Sequence, residues 1–408
     1  MKVVYINENS APYSETFVGA EKQILQRHGV EVVDINLREL RFSLRGMLCS
    51  SICILRPRIW KGIFQIIVFS ADNYRRLRSN GHAIMLFISN YQKVLALVAG
   101  SSHLRAHFLG KRAVFAFLMS QGTGIPFSAV AHAEDLFSWT SSVRIIIKHA
   151  LLIHVISNYN IGYLNAKTSF RFSDKLQLIR NSFYRQERDQ NQSLEVSGLS
   201  HARNVDVVDG VRPVRFFMAS RLVANKGIIE WIEVLSEFKK LRMFEMMIAG
   251  DGPIKEQICQ RIDELSLRRE ISLLGVIPSK AVHENIANCD FAVIFSMNAS
   301  LTWPHMDGLP TFFFEALSAG VPVISTFVSG IPEIVLHGFN GILLSPNSSP
   351  RQNALILNRQ IQNGKFDRCR IREHFYDYLN ELEGGEVLYG CLSNMHTAAG
   401  DNSSGFSP

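Results

Sequence analysis

Short apolar runs alternate with amphipathic stretches of helical period in both halves of this chain. Lys2 to Ile6 is a β-branched run with the length of a strand. The polar loop ENSAPYSET follows, then a helical pattern from about Phe17 to His28, with Gly29 as its stop and a second strand from Val30 to Ile35. Strand, helix and strand in that order predict a parallel sheet. Residues 40–100 are apolar with weak punctuation and read as helices. The alternation resumes at Leu104 to Phe108, with a helix near Ala113 to Thr123 and a strand at Phe127 to Ala131 that ends in the loop HAEDLF. A strand at Ala150 to Ile156, a helix at Asn158 to Ala166 and a strand at Leu176 to Ile179 complete the first set.

The second set begins at Val214. Strand VRFFMAS leads to the loop RLVANKG and a helix reaching about Lys240, and strand MFEMMIAG ends in Asp251-Gly252-Pro253. A helix, the strand EISLLGVI, a short helix near Lys280 to Asn288 and the strand FAVIFS come next. A loop to Leu309, a helix from about Pro310 to Ala319 and a strand from Val321 to Ser325 follow. Asn340-Gly341 predicts a hairpin turn before the strand ILLS. The expected class is α/β, with two Rossmann-like parallel-sheet domains facing a cleft. The expected division is a first domain at 1–183, a polar connection at 184–213, a second domain at 214–375, a helical segment at 376–394 packing back on the first domain, and a disordered tail at 395–408.

Composition supports this division. The chain has 408 residues, 47% hydrophobic and 19% charged, which suits two well-buried domains. Its six cysteines are scattered without a CxxC pair, so neither a disulfide framework nor a structural metal is expected. Gly62 to Ser70, Ala83 to Gly100 and Arg144 to Ser157 are apolar, but none gives the roughly 18 uninterrupted residues of a spanning helix. MKVVYIN enters a strand directly, with no secretory leader pattern, so a cytoplasmic location is expected. The charge is uneven. Asn36 to Arg112 holds thirteen Lys and Arg against two Asp and Glu, a net of +11 in a chain of +7 overall. Arg56, Arg58 and Lys61 are interleaved with Ile59, Trp60 and Ile63, a mixture that suits peripheral contact with an anionic membrane surface; the alternative is a solvated basic helix face.

The chemistry collects in strand-end loops of the second half. Arg221 and Lys226 stand five residues apart with Gly227 closing the loop, a spacing that can grip a diphosphate. In MDGLPTFFFEALSAGVP, Gly308 permits close backbone approach, and the amides near Leu309, Pro310 and Thr311 form an anion site at a helix start. Glu315 lies one turn further in among Phe312, Phe313, Phe314 and Leu317, where a carboxylate needs partners. A ribose diol would supply them. AGDGP, with Gly252, is by itself a generic strand–turn–helix signal.

In this order, from Arg215 to about Ser345, these segments resemble the donor domain of glycosyltransferase family 4. The series runs from the RL…KG loop through AGDGP, LLGVIP, the acidic loop and the Glu helix to GVPVISTFVSGIPEIV. Ser14-Glu15-Thr16-Phe17, LRAHF and GIPFSAVAHAEDLF are similar to members that build bacterial exopolysaccharides of the colanic-acid type. The resemblance implies a GT-B fold and a retaining transferase that needs no bound metal or other cofactor. It implies a nucleoside-diphosphate sugar as donor and a lipid-linked or growing polysaccharide as acceptor. It places His132 and Asp307 by the donor sugar, Glu315 on the ribose, Val276 and Ile277 beside the base, and Ser14, Glu15 and Thr16 on the acceptor side. Asp307 stands where the family usually has Glu. A small soluble acceptor, or sugar-nucleotide binding without turnover, are the alternatives. No nucleic-acid partner is implied.

Overall fold

The computed structural model describes residues 1–8, 16–47, 56–70, 74–137, 141–181, 212–298, 306, 308–382 and 384–401. The chain divides into two compact units, Met1–Tyr184 with Leu382–Pro408, and Arg185–Glu381. Most of the expected connection at 184–213 lies outside the described residues.

The first unit contains β1 (Lys2–Asn7), α1 (Thr16–Arg27), β2 (Glu31–Asn36), α2 (Pro57–Val68), α3 (Tyr74–Val98), β3 (His103–His107), α4 (Lys111–Thr123), β4 (Phe127–Ala131), α5 (Ala133–Phe137), α6 (Ser141–His149), β5 (Leu152–Val155), α7 (Asn158–Thr168) and β6 (Leu176–Leu178). Its strands form one sheet in the order β2-β1-β3-β4-β5-β6, and every pair is parallel. Helices cover both faces, so the central strands are buried throughout rather than on alternate residues. One face packs Val4, Leu104, Ala106 and Ala129 against α3, α4 and α6. The other packs Val3 and Tyr5 against Phe17, Val18 and Leu25 of α1.

The second unit contains β7 (Val214–Ala219), α8 (Ile228–Phe238), β8 (Phe244–Ala249), α9 (Lys255–Glu264), β9 (Ile271–Gly275), α10 (Ser279–Asn288), β10 (Phe291–Val293), α11 (Thr311–Ser318), β11 (Val323–Thr326), β12 (Gly341–Leu344), α12 (Pro350–Asn363) and α13 (Arg368–Leu382). The sheet order is β12-β11-β10-β7-β8-β9, again all parallel. Arg212 grips Asp290 with two hydrogen bonds of 2.7 and 2.8 Å and so ties the start of β7 to the start of β10.

α14 (Gly384–Asp401) returns to the first unit, where Leu388 and Leu392 complete the cluster on α1. His28 stacks on Tyr389 at 4.1 Å and pairs with Glu386 at 2.7 Å. The helix runs to Asp401, well into the stretch that composition assigns to a disordered tail. Met395, Ala398 and Ala399 are good helix formers and extend a helix already nucleated by its packed first half.

Asn340-Gly341 is not a hairpin. Gly341 opens β12, which runs parallel to β11, and a Cβ there would lie 2.3 Å from the Val323 carbonyl oxygen. Glycine is needed for close approach, and the turn falls earlier, at Gly338 with φ +81°. Asn340 is buried. Its side chain accepts from Leu336 N at 2.6 Å and donates to Ile334 O at 2.9 Å, bonds that hold the turn.

Candidate nucleotide site in the second unit

Strand order reverses between β7 and β10: the chain runs outward from β7 through β8 and β9, then returns to β10 on the opposite side. In open parallel sheets the crevice beyond the carboxyl ends at such a reversal is where ligands bind. The loop from Ser220 to Gly227 and the segment from Phe295 onward border it.

These loops are locked to one another by backbone contacts. Gly227 has φ +59°, and a Cβ on it would fall 1.8 Å from the Phe295 carbonyl oxygen. Met297 N donates to Asn225 O at 3.0 Å. On the other side, Leu222 N donates to Asp251 O at 2.9 Å, while Cβ atoms on Gly250 and Gly252 would meet Ser220 O at 1.9 Å and Leu222 O at 2.3 Å. Gly250 N reaches Gly275 O at 2.7 Å, adding the end of β9. The missing side chain of Gly252 thus makes room for the neighbouring loop. The generic AGDGP signal is in this fold a docking surface for the RLVANKG loop.

Arg221 and Lys226 are carried on that preorganised loop. The Arg221 side chain is exposed, and Lys226 is half-buried in the short 3-10 turn Ala224–Lys226. The helix expected from Pro310 begins at Thr311, and Pro310 is its N-cap with extended φ −62° and ψ 123°. No side chain caps α11; Phe313 N turns back to Pro310 O at 3.1 Å, which leaves the amides of Thr311 and Phe312 as open donors among the described residues. Phe312 meets Phe217 edge-on at 5.8 Å, which seats the first turn of α11 over β7. Leu309 and Gly308 are buried. Gly320, at φ +74°, ends the helix where a Cβ would meet Arg368 O at 2.2 Å.

Glu315 is half-buried, and no hydrogen bond or ion pair reaches its carboxylate among the described residues. Burial raises its pKa. Val276 and Ile277 lie just past β9, which ends at Gly275; Val276 is 77% exposed. An exposed apolar side chain beyond a strand end suits the face of a planar ring. Together the described groups offer two cations, open helix amides, an unpaired carboxylate and an apolar shelf. That set matches the diphosphate, ribose and base of a nucleotide. Asp307 lies outside the described residues, as do Ser14 and Glu15. Thr16 opens α1.

His132 belongs to the first unit, one residue past β4. It is buried, and its ring packs against Phe108 at 4.3 Å, Phe17 at 5.1 Å and His107 at 5.8 Å. Burial, then the charges of His107, His154 and Arg112, hold its pKa well below the usual value, so the ring is neutral. Its Nε2 has no hydrogen-bond partner among the described residues.

Below it lies a feature that the sequence reading missed. Arg105 on β3 donates to Glu21 of α1 from Nε at 3.0 Å and Nη2 at 2.8 Å, with both side chains fully buried. Glu21 Oε1 also accepts from Tyr5 Oη at 2.7 Å and His107 Nε2 at 3.1 Å. Arg105 reaches Ser128 Oγ at 3.2 Å and His154 Nδ1 at 2.6 Å. The signal was present in HLRAH: His103, Arg105 and His107 alternate along a central strand that has no solvent face.

Residues 210–374 match the family described as Glycosyl transferases group 1. Among curated relatives, the amylovoran biosynthesis glycosyltransferase AmsK of Erwinia amylovora is 28% identical over 186 residues, 43% of this chain and 45% of that protein. The match therefore spans less than half of that relative's length. Among solved structures, HepE of Anabaena in complex with UDP and glucose aligns over 94% of this chain and 100% of that one, with TM-score 0.57 and 17% identity. The lipopolysaccharide outer core galactosyltransferase WaaB aligns over 98% and 99%, with TM-score 0.63 and 15% identity. The fold is GT-B.

Proposed function

We propose that this protein is a retaining glycosyltransferase that moves a sugar from a nucleoside diphosphate to a lipid-linked or growing polysaccharide acceptor. It would serve exopolysaccharide or cell-surface glycan synthesis, peripheral to the inner face of the cytoplasmic membrane. The observation that carries the reading is Glu315. A half-buried carboxylate without a partner among the described residues, one turn behind the open amides of Thr311 and Phe312, is costly until a ligand hydroxyl pair arrives. The name of AmsK supports an exopolysaccharide product, and the UDP and glucose in HepE support a nucleotide-sugar donor.

In this scheme the bond from the anomeric carbon to the β-phosphate oxygen breaks as the acceptor oxygen attacks on the same face. The acceptor proton passes to the departing phosphate. Arg221, Lys226 and the α11 amides stabilise the charge that develops on that phosphate. These groups supply the counter-charge a metal would otherwise bring, so no metal or other cofactor takes part. His132, with its neutral ring and a buried Nε2 that has no partner among the described residues, would bond a sugar hydroxyl.

The test is thermal unfolding against a panel of nucleoside-diphosphate sugars. The true donor at 100 times its dissociation constant adds about 2.7 kcal/mol. Transfer with that donor should then survive EDTA. Stabilisation by no member of the panel, or activity abolished by EDTA and restored by Mg²⁺ or Mn²⁺, would refute this reading.

The two acidic positions should separate. Glu315→Gln weakens binding of the free nucleoside diphosphate. Asp307→Asn lowers transfer while leaving nucleoside-diphosphate affinity nearly intact, because it meets the sugar. Titration of both variants with the diphosphate and the full donor distinguishes them. Parental binding and turnover in both would remove the paired-acid assignment.

A further inference from the structure

Helix α2 is apolar on two sides. Ile59, Gly62, Ile63 and Ile66 are buried, and Gly62 brings the helix close to Phe117 of α4, where a Cβ would lie 3.2 Å from the ring. On the other side Trp60, Phe64, Ile67 and Val68 fall at i, i+4, i+7 and i+8. They form one stripe that faces solvent, with Trp60 51% and Phe64 67% exposed. Phe69 at the helix end is exposed as well.

Charge distinguishes the possible occupants of this face. The helix has no acidic residue, and Arg58 and Lys61 are exposed. The fold adds two lysines that are distant in sequence. The charges of Lys148, Lys175 and Lys61 all bear on His149, whose ring packs on Phe117 at 5.0 Å. Lys175 Nζ donates to the carbonyls of Lys148 and Ala150 at 2.6 and 2.8 Å, which fixes the cluster beside α2; Asp174 offsets part of its charge. An apolar stripe bordered by cations is complementary to an anionic lipid surface. A second copy of the same face would instead bring like charges together. Arg56 does not belong to this surface, because its Nη1 donates to the Gly122 carbonyl beside the end of α4.

We propose that α2 lies flat in an anionic bilayer surface, with Trp60, Phe64, Ile67 and Val68 among the upper acyl chains and Lys61 and Lys148 against phosphate headgroups. This deepens the peripheral membrane location proposed above, and rests on it. Contact is by insertion of a helix side; among the described residues no helix is long and apolar enough to cross a membrane.

The experiment uses the full chain with vesicles of phosphatidylcholine alone or mixed with phosphatidylglycerol. Binding by co-sedimentation should require phosphatidylglycerol and weaken as salt rises. Lipids labelled with a quencher high on the acyl chain should quench tryptophan emission, and Trp60→Phe should abolish that quenching while the protein still binds. Phe64→Ser with Ile67→Ser should weaken binding at least tenfold. Lys61→Gln and Lys148→Gln should each weaken it about fivefold. All substituted positions are exposed. Thermal stabilisation by the donor found above, unchanged in every variant, confirms that they fold. Negligible binding to both vesicle types overturns the proposal. So does binding without quenching, or a dimer in solution that Phe64→Ser with Ile67→Ser dissolves. Membrane binding that persists without any nucleotide stabilisation would count against the transferase reading and leave this one standing.

Discussion

Glu21→Gln should destabilise the first unit by about 3–5 kcal/mol, the cost of leaving one member of a buried ion pair without its partner. Arg105 is fully buried, and its guanidinium is fixed by two hydrogen bonds that it donates to Glu21. Burial alone would raise the Glu21 pKa, yet Arg105 and His107 hold it well below the usual range, so the carboxylate is charged in the fold. Replacing both partners, as Glu21→Leu with Arg105→Met, should recover much of the loss, since no unpaired charge remains.

The same cluster makes stability fall in acid. Burial, then the charge of Arg105, brings His103 down to about 3. His107, His132 and His154 are also lowered, with burial first among the causes. These rings stay neutral in the fold, whereas in the unfolded chain they take up protons near pH 6.5. Below that pH the unfolded state binds more protons, and each ring removes up to about 1.4 kcal/mol per pH unit. Glu21 acts in the same direction at lower pH, because its contribution is present above the unfolded carboxylate pKa and is lost as pH falls through its depressed folded value. Urea unfolding of the parent and of Glu21→Gln at pH 7.5 and 5.5 reads the lost ion pair and the histidine effect. A Glu21→Gln protein within about 1 kcal/mol of the parent, or equal parental stability at the two pH values, would contradict the network's role.

Element type and order were legible because period and length carry them. Val3 to Ile6, Phe127 to Ala131 and Phe216 to Met218 read as strands, and they lie in the middle of parallel sheets. What the pattern could not supply was which face each residue takes and what lies across from it. Asn340-Gly341 has the chemistry of a hairpin turn, but the glycine answers a carbonyl on β11, a contact no local pattern contains. HLRAH alternates like a half-exposed strand. Its polar side is paid for by Glu21, 84 residues from Arg105 in sequence. Arg56 counts as a surface cation in the sequence and as a carbonyl partner in the fold.

The proposed nucleotide site was legible in part for a related reason. Arg221, Lys226, Thr311 and Glu315 announce themselves as polar groups at strand ends or in apolar surroundings. Gly227 and Gly252 show in the sequence only as a loop closure and a turn, and Gly250 not at all, whereas in the fold they let three loops touch through their backbones. The proposed membrane face shows the reverse case. The basic surplus was plain from composition, but the apolar stripe on α2 emerges only once Ile59, Ile63 and Ile66 are seen to be buried on the opposite side.

Lys226→Ala should cost about 2–4 kcal/mol in kcat/KM, on the scale of losing a charge-stabilising donor in an acyl-transfer site. The loop is built to hold this position still. Lys226 N donates to Val223 O at 3.0 Å, Gly227 N to Ala224 O at 3.0 Å, and Asn225 O accepts from Met297 N, so the stem leaves a fixed turn. An ammonium carried on a fixed backbone gains most as the leaving phosphate acquires charge, because the loop itself need not reorganise at that moment. Arg221→Ala should fall in the same range but toward its lower end, since its exposed side chain is screened by water and must be ordered by the ligand. In the proposed scheme the two groups meet one diphosphate, so the double variant should lose less than the sum of the singles. The measurement is kcat/KM for the donor in the four proteins of the cycle, with affinity for the free nucleoside diphosphate measured alongside. Transition-state stabilisation predicts a larger loss in kcat/KM than in that affinity. Equal losses in both would mean that the cations only bind the donor, and unchanged kcat/KM in both single variants would remove them from the diphosphate site.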